Sequence, residues 1–249
     1  EASGLLCIGE SARVIERGDA DLCFSGSAEC KHNLMGLLRT EYAGRLAKTG
    51  SITDPAAICK PFDATSLGCG ASEGGAILIL EEAAAAAKRG AKVYATLSGF
   101  GAGQSGPPTN PILGDARPDE GLQAAIENAL DDARLKPAEI DAVVVFGTGV
   151  PALDAAEAGA LAKVFPNSQS LPIVTLGPNL GTTMAGNGSI MAAVGTLCIH
   201  HQQLPARIHA GTPSLPGAKG PARQAPLRHM LVAGSSLGGQ NAAIILSRP

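Results

Sequence analysis

The chain has 249 residues, 45% of them hydrophobic and 16% charged, with a net charge of −3 and no tryptophan. Such a composition is globular rather than disordered. Without a basic stripe it excludes ordinary nucleic-acid binding, which needs a cationic surface facing the phosphates. The longest apolar runs are about 5 to 7 residues, far short of the roughly 20 that span a bilayer, so no membrane role is expected.

In chain order, Ala2 to Arg17 reads as a helix with Leu5, Ile8, Ala12 and Ile15 on one face and Gly18 as its C-cap. Asp21–Ser27 reads as a short buried strand, 31–48 as helix with a loop, and Ser51–Thr65 as loop. A glycine-rich segment, 68–75, leads into a buried strand at Ala76–Glu81, then a helix at Glu82–Arg89 and a strand at Lys92–Phe100. Gly103–Arg117 is a proline-rich loop, and Asp119–Arg134 an amphipathic helix. Asp141–Phe146 and Ile173–Leu176 read as strands flanking a helix at Leu153–Phe165, and Ala185–Gln202 contains a helix of small residues. His229–Ala233 and Asn241–Leu246 read as a closing antiparallel pair. The alternation of β and α predicts an α/β layered fold. The strand–glycine–helix stretch at 142–158 has the form of an active-site turn at a strand's carboxyl end, yet the turn offers no His, Cys, Lys or carboxylate where the strand ends on Phe146.

Three patterns imitate known sites. Gly101–Gly106 matches GxGxxG, but Pro107-Pro108 follows where a phosphate-binding helix must begin, so the segment is read as a loop. Gly234–Gly238 matches GxSxG, but a strand follows it and no His lies downstream of His229. His200, His201 and His209 lack a carboxylate or Cys at ligand spacing, so no metal is expected and the pair is read as a solvated helix end. The six cysteines form no CxxC pair and read as small buried residues of a reducing, cytoplasmic compartment.

Five stretches, in order, resemble the carboxyl-terminal portion of a β-ketoacyl synthase, of the thiolase-like superfamily. Gly18-Asp-Ala-Asp21 with Ser25–Glu29 resembles the family's GDAD strand and following turn. Lys60-Pro-Phe-Asp63 with Ser72–Glu81 resembles PFD…GEGAGVLVLE. Leu204–Ile208 resembles LPPTI, and Leu237-Gly-Gly-Gln-Asn241 resembles FGGTN. The resemblance implies the layered α/β/α/β/α thiolase-like fold, of which this chain holds the second half plus the last helix and strand of the first. Residues 1–50 are then the end of the amino-terminal half and 51–249 the carboxyl-terminal half.

The same resemblance places the family's catalytic Cys at Glu1, its first His at Phe146, its Lys at Gly177 and its second His at Thr182. The gatekeeping Phe falls on Ser235, and the Phe of FGGTN on Leu237. Condensation needs a thiolate nucleophile and donors for the developing enolate and oxyanion, so the chain is expected to be inert. Gly147–Glu157 resembles the GxxVPELDxxEA turn of chain length factors, the ketosynthase β subunits of type II polyketide synthases. What this implies is a non-catalytic subunit without a cofactor, paired with a catalytic ketosynthase, visited by an acyl carrier protein and shaping the polyketide tunnel. A malonyl-carrier-protein decarboxylase and a purely structural scaffold are the alternatives. An amino-terminal fragment of the same fold is the expected companion, and the start at Glu1 is read either as a cleavage point in a precursor or as an arbitrary boundary.

Overall fold

The computed structural model describes residues 1–106, 117–166, 169–208, 211–215, 217 and 219–249. Helix α1 (Ser3–Glu16) buries Leu5 and Ile8 about one turn apart, and Gly18 closes it at φ +75°, a left-handed value that glycine adopts without strain. Strand β1 (Leu22–Cys30) pairs antiparallel with β2 (Glu73–Glu81), Phe24 opposite Ile79. Between them lie α2 (Leu34–Tyr42), capped by the Asn33 side chain, and the one-turn α3 (Pro55–Ile58). The short α4 (Ala83–Lys88) follows β2.

The remainder alternates: β3 (Thr96–Gln104), α5 (Glu120–Ala133), β4 (Ala142–Val144), α6 (Pro151–Val164), β5 (Ile173–Val174), α7 (Gly177–Leu180) and α8 (Asn187–His201). Then come the two-residue strands β6 (Gln203–Leu204) and β7 (Arg223–Gln224) and the closing pair β8 (His229–Ser235) and β9 (Gln240–Ser247). The main sheet has the order β3-β9-β8-β4-β5. In it β4 runs parallel to β5 and β8, while β9 runs antiparallel to β8 and β3.

Helices α1 and α8 lie between the two sheets. α1 packs on β1 and β9, and α8 on β2 and β8. The two helices meet at glycines: a Cβ on Gly4 would lie 2.5 Å from the Ser189 nitrogen, and one on Gly188 would lie 3.0 Å from the Glu1 carbonyl oxygen. On the opposite face of the main sheet, α5 and α6 close a second apolar core built from Leu122, Ile126, Leu161, Val143 and Leu231. The layers are therefore β1–β2, the α1/α8 pair, the main sheet, and the α5/α6 pair. The outer face of β1–β2 carries Phe24 at 73%, Ile77 at 62% and Ile79 at 61% exposure.

Three expectations need correction. Neither β1 nor β2, the strand expected at Ala76–Glu81, is buried, because only their inner faces meet α1 and α8. The third strand starts later than Lys92 and runs on to Gln104, so the first four residues of Gly101–Gly106 are strand, not loop. Most of the proline-rich segment that follows, 107–116, lies outside the described residues. Of the cysteines, all free, Cys59, Cys69 and Cys198 are buried, but Cys7 and Cys30 are exposed. Among the described residues no helix is long and apolar enough to cross a membrane.

The glycines of β3 recur with the strand's period of two, which points Gly99, Gly101 and Gly103 to one face. A Cβ at these positions would lie 2.4, 2.1 and 2.1 Å from the carbonyl oxygens of Ala129, Ala125 and Gly121 in α5. The pattern that imitates a phosphate loop is thus a track on which α5 sits against bare backbone. Gly101→Ala is expected to lower stability by about 1–3 kcal/mol, the usual range for overpacking. Gly70→Ala, where a Cβ meets nothing within 4 Å, is expected to change it by less than about 0.5 kcal/mol. Denaturant unfolding of both variants checks the difference.

Candidate functional site

β4 runs parallel to its neighbours and delivers the turn 145–150 at its carboxyl end, where open α/β sheets place their ligands. Gly147 and Gly149 take φ +53° and +77°, which exposes a row of backbone N–H groups inside the protein. Buried N–H groups need partners, and α6 supplies them. Pro151, at the start of that helix, has the fixed φ that suits a first helical position. One turn on, Asp154 accepts from the Gly149 N–H (3.1 Å), the Phe62 N–H (2.9 Å) and the Thr148 hydroxyl (2.8 Å). Glu157 accepts from the Phe146 N–H (2.9 Å) and the Gly147 N–H (2.8 Å). Burial pushes Asp154 up to about 6 despite these donors. Burial, with the neighbouring Asp154 charge, pushes Glu157 up to about 8.

Above the turn lies a cavity of about 740 Å³. Its wall includes Phe146, Thr148, Leu153 and Glu157 from the turn and α6, Asp119 and Gly121 from the start of α5, and Ser235 to Leu237 from the β8–β9 turn. Glu1 and Arg45 also line it, joined by an ion pair with both side chains under 10% exposed. The Ser236 hydroxyl accepts from the Ala2 N–H at 2.9 Å, and the Leu237 N–H reaches the second Glu1 oxygen at 3.4 Å. Asp119 caps α5 through the Leu122 N–H (2.9 Å) and accepts from the hydroxyls of Ser105 and, at 3.4 Å, Ser235.

Four of the six positions singled out from sequence, Glu1, Phe146, Ser235 and Leu237, share this cavity. Gly177 instead lines a smaller hollow of about 400 Å³ with Cys59, Cys69 and Gly181. Thr182 is buried and forms a bridge to Ala71, its N–H donating to the Gly70 carbonyl at 2.7 Å. The Cys59 thiol is pushed up to about 12 by burial and then by Asp154, so it is not a ready nucleophile. Gly234–Gly238 forms the turn between two strands, without the helix that a nucleophile elbow requires. His200 and His201 end α8, with the His200 ring 4.5 Å from the Tyr94 ring and tilted against it; His209 lies outside the described residues. Among the described residues no group of three potential metal ligands forms. Sequence reasoning missed Arg45, and it quoted Asp154 and Glu157 without a role. Two buried carboxylates one turn apart after a glycine turn were the signal available for the latter pair.

Models of the β-ketoacyl synthase amino-terminal and carboxyl-terminal domains match residues 1–86 and 94–211. The chain belongs to the β-ketoacyl synthase family. It is 32% identical over 254 residues to the tetracenomycin polyketide synthase ketoacyl synthase beta subunit of Streptomyces glaucescens, covering 100% of this chain and 59% of that one. It is 29% identical to the 3-oxoacyl-[acyl-carrier-protein] synthase 2 of Coxiella burnetii, covering 99% and 59%. Its fold superposes on a chain of the ishigamide ketosynthase/chain length factor with a TM-score of 0.87 at 27% identity, covering 99% and 59%. The chain thus spans about three-fifths of the length of these ketosynthase relatives.

Two tests bear on this cavity and the turn beneath it. Asp154 and Glu157 both titrate above their ordinary values, so their contribution to stability is complete below about pH 4. It is lost as pH rises through about 6 and then about 8. Thermal unfolding is expected to drop in temperature from about pH 5 to pH 9, and Glu157→Gln to flatten the upper part of that slope. Arg45→Met leaves the Glu1 carboxylate buried and unpaired, and is expected to cost about 3–5 kcal/mol, read by denaturant unfolding.

Proposed function

We propose that this chain is part of a catalytically inert, chain-length-factor-like subunit of a type II polyketide synthase. The observation that carries the reading is the cavity itself. Where a condensing enzyme needs a thiolate, the resemblance places Glu1, and Glu1 is held by Arg45. Where it needs a base or cation, the buried ring of Phe146 faces the space. A carboxylate tied to a guanidinium cannot carry an acyl chain as a thioester, and a phenyl ring neither accepts a proton nor stabilises an enolate. The Gly177 and Thr182 positions add no cation. Such a subunit acts by packing and by the shape of the space it encloses, needs no cofactor, and leaves the chemistry to a catalytic ketosynthase served by an acyl carrier protein.

The chain is further proposed to work with the amino-terminal portion of the same fold. Support comes from a repeat within the molecule: α1 followed by the β1–β2 pair parallels α8 followed by β8–β9. In the second copy β8 is flanked by the parallel β4 and β9 by the antiparallel β3. Both outer edges of β1–β2 lack such neighbours among the described residues, and Phe24, Ile77 and Ile79 stand exposed beside them. Three flanking strands with their helices would complete the first copy.

Incubating the purified assembly with malonyl- and acyl-carrier protein, followed by intact-mass analysis, is expected to show no acyl adduct and no decarboxylation assigned to this chain. An acyl adduct on Cys59 or Cys69 would overturn the reading. Phe146→His alone is expected to restore no condensation, because the thiolate is still lacking. Leaving this chain out of the reconstituted assembly is expected to alter product length; an unchanged product with full activity would reduce it to a dispensable scaffold.

A further inference from the structure

Residues 158–249 contain none of the 22 Asp and Glu residues of the chain, yet they hold Lys163, Arg207, Lys219, Arg223, Arg228 and Arg248. Among the described residues, no ion pair involves any of these six. One of them is out of place on the surface of such a segment. Arg207 is only 5% exposed, and its Nε and Nη1 are buried without a hydrogen-bond partner. Its Nη2 donates to the Lys219 carbonyl at 3.0 Å, and its backbone N–H to the Gly220 carbonyl at 2.8 Å. A buried guanidinium without a carboxylate is costly, because the charge loses its hydration and gains no counter-charge.

The second cation stands close by. A Cβ built on Gly220 would lie 3.4 Å from Arg207 Nη2 and 3.6 Å from Arg223 Nη1. The space left by the missing side chain is therefore flanked by both guanidinium groups, and Arg223 itself is exposed at the outer end of it. Burial first, and then the Arg223 charge, lower Arg207 to about 10. Asp63, which holds Thr212 in the same loop region through its N–H at 2.7 Å, has its other oxygen engaged by Thr65.

We propose that Arg207 and Arg223, with Gly220 between them, form an oxyanion-binding site that takes an external carboxylate or phosphate oxygen. Arg207 Nη2, which keeps a second N–H beside its bond to the Lys219 carbonyl, and Arg223 Nη1 both border this space, and a pair of guanidinium groups suits an oxyanion better than lysines would. Gly220 takes φ +154°, a conformation that L side chains rarely adopt, and its missing side chain leaves the space between the two guanidinium groups open. The site lies on the β6–β7 segment, and none of its residues lines the cavity of the ketosynthase-type site.

The test is titration calorimetry on the assembly as purified, with inorganic phosphate, acetate and chloride at matched ionic strength. Saturable binding of phosphate or acetate, but not chloride, is expected, weakened about tenfold or more in Arg223→Gln, a change at an exposed position. Acetate binding as tightly as phosphate would assign the site to an acidic side chain of a neighbouring polypeptide; phosphate alone would assign it to a phosphoryl group. Binding unchanged in Arg223→Gln, or no preference over chloride in the unmodified protein, overturns the proposal.

Discussion

The N–H groups of the turn after β4 must find acceptors in a place that water does not reach. That requirement shapes the centre of this molecule. Asp154 and Glu157 meet it from the first turns of α6, and so lock the turn, the helix start and the loop around Phe62 into one unit. The residue at position 146 takes part only through its backbone. Its side chain is free to be a catalytic group or a phenyl ring without disturbing the turn. The groups that build the turn and the side chain that lines the cavity are different atoms, so the architecture constrains the first without dictating the second.

Burial of the two carboxylates is tolerated because each is surrounded by donors. Two backbone N–H bonds to Glu157 and three donors to Asp154 recover part of the hydration that the carboxylates lose. The recovery is incomplete, which is why both titrate upward. The Glu1–Arg45 pair solves the same problem differently, by charge rather than by backbone dipoles. Its Arg45 Nε remains without a partner, so the pair is a less complete solution than the turn and the part of the cavity most sensitive to substitution.

Local pattern carried most of the fold. The strand before the glycine turn, the helix behind it, the Asp119 and Arg134 ends of α5 and the closing antiparallel pair could all be read from period and caps, although that strand stops at Val144 rather than Phe146 and that helix starts at Pro151 rather than Leu153. The errors came where a residue's meaning depends on what lies against it. Gly101 and Gly103 read as a phosphate loop or a plain loop, because nothing in the sequence says that α5 will press on them. Asp21–Ser27 read as a buried strand from its run of apolar and small residues, but burial belongs to neighbours, and one face of that strand has few. Glu1 and Arg45 are 44 positions apart, and Ser235 and Asp119 are 116 apart. Pairings at such separations are set by topology, and a single sequence holds no trace of them.

The central layer shows how strongly one close contact can dictate composition. α1 and α8 lie between two sheets; α8 is largely covered and lacks the one-sided pattern of a surface helix, whereas α1 keeps Ser3, Cys7 and Glu10 exposed along one side. Where the two helices meet, Gly4 and Gly188 allow backbone to approach backbone, and Ser189 uses its hydroxyl to reach the Ser27 carbonyl at 2.8 Å. Bulkier side chains at these positions would separate the helices and with them the two sheets. Glu1 precedes α1 directly, and the β8–β9 turn that holds Ala2 is carried by the sheet on which α1 packs. The spacing of the middle layer therefore sets the distance between Glu1 and Leu237, and so the depth of the cavity. Small residues in two helices are as much a part of that cavity as the side chains that line it.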